Sequence, residues 1–328
     1  MRNIMNIIKN DFRRTASNRS YVLISLGITF SLILLAVFFT SRFEIKGNIA
    51  VITDGGAPDI RSGHLNVTLL DAPPPVSQLV MNRYDAVVTE EGNGKFRIDT
   101  IKSKDYKDML EGLLQNPGAA DVKGHDPRGA GVNILGYLIM FLLIQGLFFM
   151  NYFTEDKERR NLRRVLASPV SMGGYLTGHF IFNFIMLFLP TMAVLLASKE
   201  LLKVDIGLSY AQYSFLLAVL CVLSSAFGLL MTAAVEKGDN VMAFASSLVV
   251  LTSILSGSFS AVNTGSTAVN RLFGLLPQKS YLVLAQGIEN GRPLTGFLPQ
   301  LAYMLLLSAL LAGLGAAICA KRFNEGRY

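Results

Sequence analysis

Six long stretches without an acidic or basic residue constrain this 328-residue chain more than any other feature. Each stretch is longer than the roughly 20 apolar residues that a helix needs to cross a hydrocarbon core of about 30 Å. Backbone groups inside lipid must be hydrogen-bonded within the protein, so helices are the expected spanning structures. The stretches are residues 20–41, 129–154, 165–198, 206–235, 240–270 and 293–320.

The scarcity of charge excludes an ordinary soluble protein. Only 16% of the residues are charged, against about 25% in typical soluble domains, and the mean hydropathy is +0.43. The sequence therefore predicts an all-α polytopic membrane protein with six transmembrane helices. A cleaved signal peptide is the alternative explanation of the first stretch. However, about 20 residues precede that stretch and no small-residue cleavage site follows it, so we expect a retained anchor.

The distribution of basic residues predicts the orientation. Residues 1–20 carry five basic residues and one acid, and residues 155–164 carry five basic residues and three acids. Basic residues are retained on the cytoplasmic side of a membrane, so both segments should be cytoplasmic. Six spans then place both termini in the cytoplasm. The net charge of +7 is explained by this orientation and by contact with partners, without any nucleic acid.

The N-terminal segment, residues 1–19, has the pattern of an amphipathic helix. Ile4, Ile8 and Phe12 recur at a helical interval, and basic residues occupy the other side. A leader that only sets the topology would satisfy this pattern. The alternative is a cytoplasmic helix that lies on membrane lipid at the inner leaflet and touches a partner.

Residues 42–128 differ in composition from the rest of the chain. Short β-rich runs, NIAVI, LNVTLL, DAVV and FRIDTI, alternate with two segments of helical spacing, VSQLVMN and KSKDYKDMLEGLL. We expect a small extracytoplasmic α/β domain between the first and second spans, 20–41 and 129–154. An unstructured linker is the alternative.

The remaining chain divides by the same criteria. Spans three to five occupy 169–260, the sixth span is 293–320, and 321–328 is a cytoplasmic tail. Residues 261–292 are moderately apolar, but Arg271, Pro277 and Lys279 interrupt them. Two re-entrant outer helices broken near Pro277 suit this segment, and a surface loop with one amphipathic helix suits it equally well.

The sequence offers no catalytic or metal site. It contains no phosphate-binding loop, no H-E-x-x-H motif and no G-x-S-x-G motif, and its histidines, His64, His125 and His179, are widely separated. His179 is the one ionisable group within the uncharged stretches. It is either a hydrogen-bonded histidine near the interface or the coupling site of an ion-driven carrier. We therefore expect transport energy to come from another subunit.

The charged inner loop, residues 155–168, is the most specific local signal. Its acids precede its bases, as the dipole of a short helix favours, and Leu162, Val165 and Leu166 form an apolar ridge before Pro169 ends the helix. A loop that only carries positive charge explains the bases. The ridge favours a helix that docks on a partner.

The loop sequence ERRNLRRVLASPVSMGGYLTGH and the later segments LSGSFSAVN and LFGLLPQKSYLVLAQGIENG resemble the permease subunits of type-two ABC exporters. The resemblance covers nearly the whole chain. It departs from the family at Asn161 and around residues 259–263. It implies a connecting helix at residues 1–19. In the charged inner loop, it implies that Ser168 and Ser171 are helix caps. It also implies a re-entrant gate at Leu276, Pro277, Ser280 and Tyr281, and a coupling helix whose docking residues are Glu155, Glu158, Arg159, Arg160, Leu162, Arg163, Leu166 and Pro169.

This resemblance also implies the partners. A separate ABC ATPase subunit would bind ATP and magnesium, a second permease would complete a homodimer or a pair with a sister subunit, and this chain itself would bind no cofactor or metal. A hydrophobic or amphiphilic cargo, such as a drug or lipid, fits the lack of charge in the spans, and a bacterial cell membrane is the expected location. A non-transporting receptor or scaffold with a ligand-binding outer domain is the alternative.

Overall fold

The structure is a computed structural model that separates the chain into two compact units, one of Phe39–Pro127 and one of Met1–Phe38 with Arg128–Tyr328. It describes residues 2–17, 23–24, 27–31, 33–35, 47–52, 65–70, 72, 74–75, 84–90, 96–100, 107, 110–112, 114, 129–203, 206–259 and 272–326.

The larger unit is built mainly from helices. In chain order they are α1 (Arg2–Ser17), α2 (Ala130–Phe149), α3 (Asn151–Glu158), α4 (Asn161–Leu166), α5 (Met172–Leu202), α6 (Tyr210–Ala234), α7 (Gly238–Leu255), α8 (Pro277–Glu289), a 3-10 turn (Leu294–Phe297) and α9 (Leu298–Asn324).

Five of these helical segments are long and apolar enough to cross a membrane. They are α2 continued by α3, then α5, α6 and α7, and finally the 3-10 turn continued by α9. They overlap the second to sixth spans that the hydropathy predicted. For the first predicted span, 20–41, the described residues 23–24, 27–31 and 33–35 are helical, and the remainder lies outside the described residues.

The boundary between the third and fourth spans differs from the prediction. Residues 199–202 were expected in the connecting loop, but α5 includes them and ends just before Lys203, whose φ is 51°. Charged residues end an uncharged stretch without ending a helix, because long side chains keep their charged groups in water beyond the lipid. The ammonium of Lys199, for example, lies 4.6 Å from the centre of the Tyr210 ring.

Helix α6 lies in the interior of the bundle. Of its most apolar 18 consecutive residues, 72% are buried, against 22% of those in α7 and 17% of those in the last span. Small residues let α6 approach α2 closely: a Cβ atom at Gly228 would lie 2.9 Å from the carbonyl oxygen of Gly146, and the Ser224 hydroxyl donates to the Leu142 carbonyl at 2.6 Å. Close packing of this kind holds transmembrane helices together where lipid removes the hydrophobic driving force.

The smaller unit contains a four-stranded sheet. Its strands are β1 (Gly47–Ile52), β2 (Leu65–Leu69), β3 (Ala86–Glu90) and β4 (Phe96–Asp99), in the order β2-β1-β3-β4. The β1 strand pairs in parallel with β2 and β3, whereas β3 and β4 are antiparallel.

Alternation along the strands buries side chains on both faces of this sheet. Leu110 and Leu114, from the second segment of predicted helical spacing, pack with Val51 and Val88 on one face. Ala50 and Val87 are buried among side chains of the other face. The described residues 107, 110–112 and 114 of that segment are helical, and the segment VSQLVMN lies outside the described residues.

Candidate functional site

The inner loop is not the single helix of residues 155–168 that its charge pattern predicted. Helix α3 ends at Glu158, and Arg160 adopts a left-handed conformation with φ 57° before α4 begins at Asn161. The Arg159 amide donates to the Glu155 carbonyl, and the Arg160 amide donates to the Lys157 carbonyl. These two hydrogen bonds close the last turn of α3. Residues 155–158 therefore continue the second span, and only α4 is a separate loop helix.

The two predicted caps behave differently. Ser171 is the N-cap of α5, and its hydroxyl accepts a hydrogen bond from the Gly174 amide at 3.1 Å, as expected for this position. The Ser168 hydroxyl instead donates to the Val165 carbonyl at the end of α4. Pro169 is exposed between the two helices.

Leu162, which the sequence predicted to dock on a partner, lies in the interior of its own chain. Its side chain is completely buried within this chain, although Leu166 is only partly buried. The apolar ridge of α4 meets an apolar cluster of its own chain, which leaves no surface of Leu162 for another protein. The buried members of that cluster are Ile7, Met150, Phe153, Leu162, Tyr175, Leu176, Leu229, Ala233 and Cys319.

The opposite side of this loop is basic and exposed. Arg159, Arg160, Arg163 and Arg164 are all exposed, as is Glu158 at the end of α3. One of the arginines, Arg163, donates from its guanidinium to the carbonyl of Gly326 in the C-terminal tail. The structure thus separates the predicted docking residues into a buried apolar anchor and an exposed basic surface.

Two acids of α3 hold the N-terminal helix. The Arg14 guanidinium lies 2.7 Å from a Glu155 carboxylate oxygen and 3.2 Å from one of Asp156. Burial disfavours the charge on Arg14, but the two carboxylates outweigh this effect and raise its pKa above the ordinary value. Glu155 therefore contacts α1 in this chain, where the sequence predicted only a contact with a partner.

Glycines on α5 allow α1 to pack closely against it. A Cβ atom at Gly178 would lie 2.8 Å from the side chain of Ile7, and one at Gly174 would lie 3.8 Å from that of Ile4. The predicted apolar stripe of α1 is only partly correct: Ile8 is buried, whereas Phe12 keeps 37% of its surface exposed. Phe12 contacts Phe182 edge to face, with ring centres 5.1 Å apart.

A buried contact between an imidazole and a carboxylate joins the same two helices. The Nδ1 atom of His179 lies 2.6 Å from a carboxylate oxygen of Asp11, and both side chains are almost completely buried. Beside this pair, the Tyr175 hydroxyl donates to Asp156 at 2.6 Å. His179 is thus paired with α1, a partner that neither interpretation of the sequence included. Asp11 had one visible signal: it occupies the apolar stripe of an amphipathic helix.

The last two residues of α3 contact a different part of the bundle. The ammonium of Lys157 donates to the carbonyls of Thr232 and Val235, and the Glu158 carboxylate accepts from the Gly238 amide at 2.8 Å. From α9, the Arg322 guanidinium donates to the carbonyls of Ala233 and Ala234. Cations therefore satisfy the last carbonyls of α6, and an acid satisfies the first turn of α7.

The four residues Glu155–Glu158 thus form a junction. The first two bind α1 and the last two bind the end of α6 and the start of α7, so these four residues connect α3 to all three helices. We call these four residues the inner junction. Hydropathy reasoning missed the roles of Lys157 and Glu158, because it counted Lys157 only as a charge that sets orientation.

The predicted gate residues lie at the other end of the bundle. Helix α8 begins at Pro277, after Leu276 in an extended conformation, so the chain does turn at the predicted position. Tyr281 is completely buried, and its hydroxyl donates to the Leu216 carbonyl at 3.1 Å, whereas Ser280 is half-buried. The segment 260–271 before it lies outside the described residues.

No group of three histidine, cysteine, aspartate or glutamate side chains in the described part of the chain could hold a metal ion. In comparisons with known proteins, the family described as ABC-2 family transporter protein matches residues 44–317. This range includes the sheet of the smaller unit and most of the helical bundle. No curated protein matches the chain.

Proposed function

This chain belongs to the ABC-2 transporter family, and from that premise we propose that it is the transmembrane permease subunit of an ATP-driven exporter. Members of this family are membrane components and are not themselves catalytic. A separate ABC ATPase would bind ATP and magnesium beneath the membrane. A second permease, either another copy or a sister subunit, would complete the transport path.

The arrangement of the inner loop is the observation that carries this proposal. Leu162 fixes helix α4 to the bundle, while two arginines of α4 and the two just before it remain exposed. A rigidly held basic surface is suited to an acidic cleft on a soluble partner, since charge complementarity guides such contacts. The inner junction then links any push on α4 to the spans.

The proposed organisation follows the charge distribution. Six spans with both termini in the cytoplasm put the inner loop on the ATPase side and the sheet-containing unit on the outer side. Helix α8 and its preceding segment would form the re-entrant gate of the exit. Closure of the ATPases around ATP would move the inner loop and switch the bundle between two states.

The proposed cargo is hydrophobic or amphiphilic and moves out of the cytoplasm or inner leaflet. Within the described spans, the acidic and basic side chains lie at the ends of the helices or, like His179, contact a group of the same chain. A charged cargo or a coupling ion would need ionisable groups facing the path at membrane depth. A drug-like or lipid-like molecule does not.

A charge-reversal experiment tests the docking surface. The variant Arg159→Glu/Arg164→Glu reverses two exposed charges, and Arg160 is left unchanged because of its left-handed backbone. The control, Lys237→Glu/Lys321→Glu, makes the same change in charge at exposed positions at the same end of the bundle. The assay is co-purification from membranes of an ATPase subunit that carries a phosphate-binding loop.

We expect the arginine variant to lose the ATPase and the control to retain it, since like charges across an interface cost several kcal/mol. Undiminished co-purification with the arginine variant would contradict the docking surface. If the unaltered chain binds no ATPase and moves no hydrophobic dye in vesicles, the receptor or scaffold function is favoured instead.

A further inference from the structure

A carboxylate at the end of α8 binds the beginning of α2. The two oxygens of Glu289 accept hydrogen bonds from the amides of Gly131, at 2.7 Å, and Val132, at 3.1 Å. Amides in the first turn of a helix have no partner within the helix, and the helix dipole favours a negative charge there. Hydrogen bonds to a charged acceptor are also stronger than neutral ones.

Three glycines form the space that this carboxylate occupies. A Cβ atom at Gly129, Gly131 or Gly207 would lie well inside van der Waals contact with the Glu289 carboxylate. Gly207 has a φ of 74°, which is a conformation that other residues rarely adopt. The glycines come from the start of α2 and from the turn between α5 and α6, so Glu289 lies where two connections of the chain meet the end of α8.

The rest of α8 is bound to other helices. The amide of the Gln278 side chain donates to the Thr252 hydroxyl on α7 at 2.7 Å, and Tyr281 binds α6. The side chain of Gln212, also on α6, donates to the Ile288 carbonyl next to Glu289. Through Glu289, the helix also reaches α2, just after residue 128, where the chain returns from the sheet-containing unit.

We propose that Glu289 is a positioning residue that fastens the carboxyl end of α8 to the first turn of α2. The contact makes these two helix ends move as one body. Helix α2 continues into the inner junction at its other end. The Glu289 contact therefore ties the position of α8 to that of the whole second span. In the exporter, and resting on the proposed function, this contact is the latch that holds the outer path closed until α2 moves.

Amide hydrogen exchange on the full-length chain in lipid nanodiscs tests the contact directly. In Glu289→Ala, the first-turn amides of α2 lose their acceptor, and we expect their exchange to become about tenfold faster or more, given the strength of a charged hydrogen bond. Glu289→Gln keeps an acceptor oxygen and should show a smaller increase. The control Glu200→Gln removes an exposed carboxylate that accepts from Tyr210, and it should leave this exchange unchanged.

Gly129→Ala provides an independent test of the same contact. Its backbone, with φ −70° and ψ 173°, accepts alanine, and the atoms nearest to the added methyl group all belong to the Glu289 carboxylate. Gly129→Ala alone should therefore loosen the first turn of α2 as Glu289→Ala does. Glu289→Ala removes those three nearest atoms, so in this background the methyl group should add no further loosening.

Two results would overturn the contact: unchanged exchange in Glu289→Ala, or an effect of Gly129→Ala that is as large without Glu289 as with it. The latch is tested by release of a hydrophobic dye from vesicles without ATP, which Glu289→Ala should accelerate. An unchanged rate there would overturn the latch. If the unaltered chain binds no ATPase, the proposed function is refuted but the Glu289 contact is not. The exchange experiment needs neither ATP nor a partner.

Discussion

Leu162 offers the sharpest test of how the inner loop is held. A six-residue helix is far too short to be stable alone, so α4 depends on tertiary contacts, of which the completely buried Leu162 is the centre. Leu162→Ala removes these contacts and leaves a cavity, for which about 2–5 kcal/mol is the usual cost. Leu166→Ala is the matched control on the same helix, since this side chain is only partly buried.

Trypsin provides the assay, because the loop contains four exposed arginines after which it cleaves. When opening and closing are fast, the cleavage rate follows the population of the opened loop. A loss of about 2 kcal/mol corresponds to about a 30-fold increase in that population. We therefore expect cleavage in the loop to be about 30-fold faster or more in Leu162→Ala, and less than tenfold faster in Leu166→Ala.

The opposite pattern would refute this reasoning. If Leu162→Ala is cleaved at the unaltered rate and nevertheless loses the ATPase, Leu162 faces a partner and the burial described above is not its state in the membrane. Equal acceleration by the two variants would show that the ridge contributes as a whole, without a specific anchor. Cleavage before and after addition of the ATPase separates these cases, because a docked partner protects the arginines.

Two further substitutions test the contacts around the loop. Lys157→Met should lower the thermal unfolding temperature of the purified chain, because buried carbonyls at the end of α6 lose a charged donor at a cost of about 1.5–3 kcal/mol. The matched change Lys321→Met, at an exposed position, should have little effect. Gly178→Val should release α1 and expose it to proteolysis, because the added side chain meets Ile7. Undiminished protection of α1 in Gly178→Val would contradict the packing.

The spans could be predicted from the sequence because lipid imposes a simple requirement. A helix such as α6 must be apolar over about 20 residues wherever it lies in the bundle, so hydropathy alone finds it. The four strands were also predictable, since short β-branched runs are bounded by polar and glycine-containing segments. Both signals are local, and neither depends on which residues meet in space.

The inner loop could not be predicted as well, because its structure depends on contacts between distant segments. An apolar ridge on a short helix looks the same whether it faces a partner or its own chain. Only the cluster around Leu162 distinguishes the two, and its members come from residue 7 to residue 319. The break at Arg160 likewise has no signal in composition, since an arginine with positive φ is held there by the surrounding contacts.

The buried pair of Asp11 and His179 illustrates the same limit, with one difference. Each residue was visible as an exception to its own pattern: a carboxylate in the apolar stripe of α1, and a histidine in an uncharged span. A buried charged group needs a partner, so two exceptions of complementary chemistry are a reason to pair them. Which face of α5 receives α1 still depends on the glycines that allow the approach.

Charged residues at the ends of the helices predicted the orientation of the chain, and the structure gives a second explanation for several of them. In the proposed orientation α6 ends at the inner surface, and its carbonyls bind the cations Lys157 and Arg322. Helix α7 begins at the same surface and α2 at the outer one, and their first turns bind the acids Glu158 and Glu289. The sign of each of these four charges therefore follows the end of the helix that it meets, since the dipole is negative at the carboxyl end and positive at the amino end. The positive-inside rule gives no reason for acids in an inner loop, whereas the dipole of α7 explains Glu158. The inner junction and the Glu289 contact therefore depend on the same electrostatic interaction, that of a charged side chain with the end of a helix.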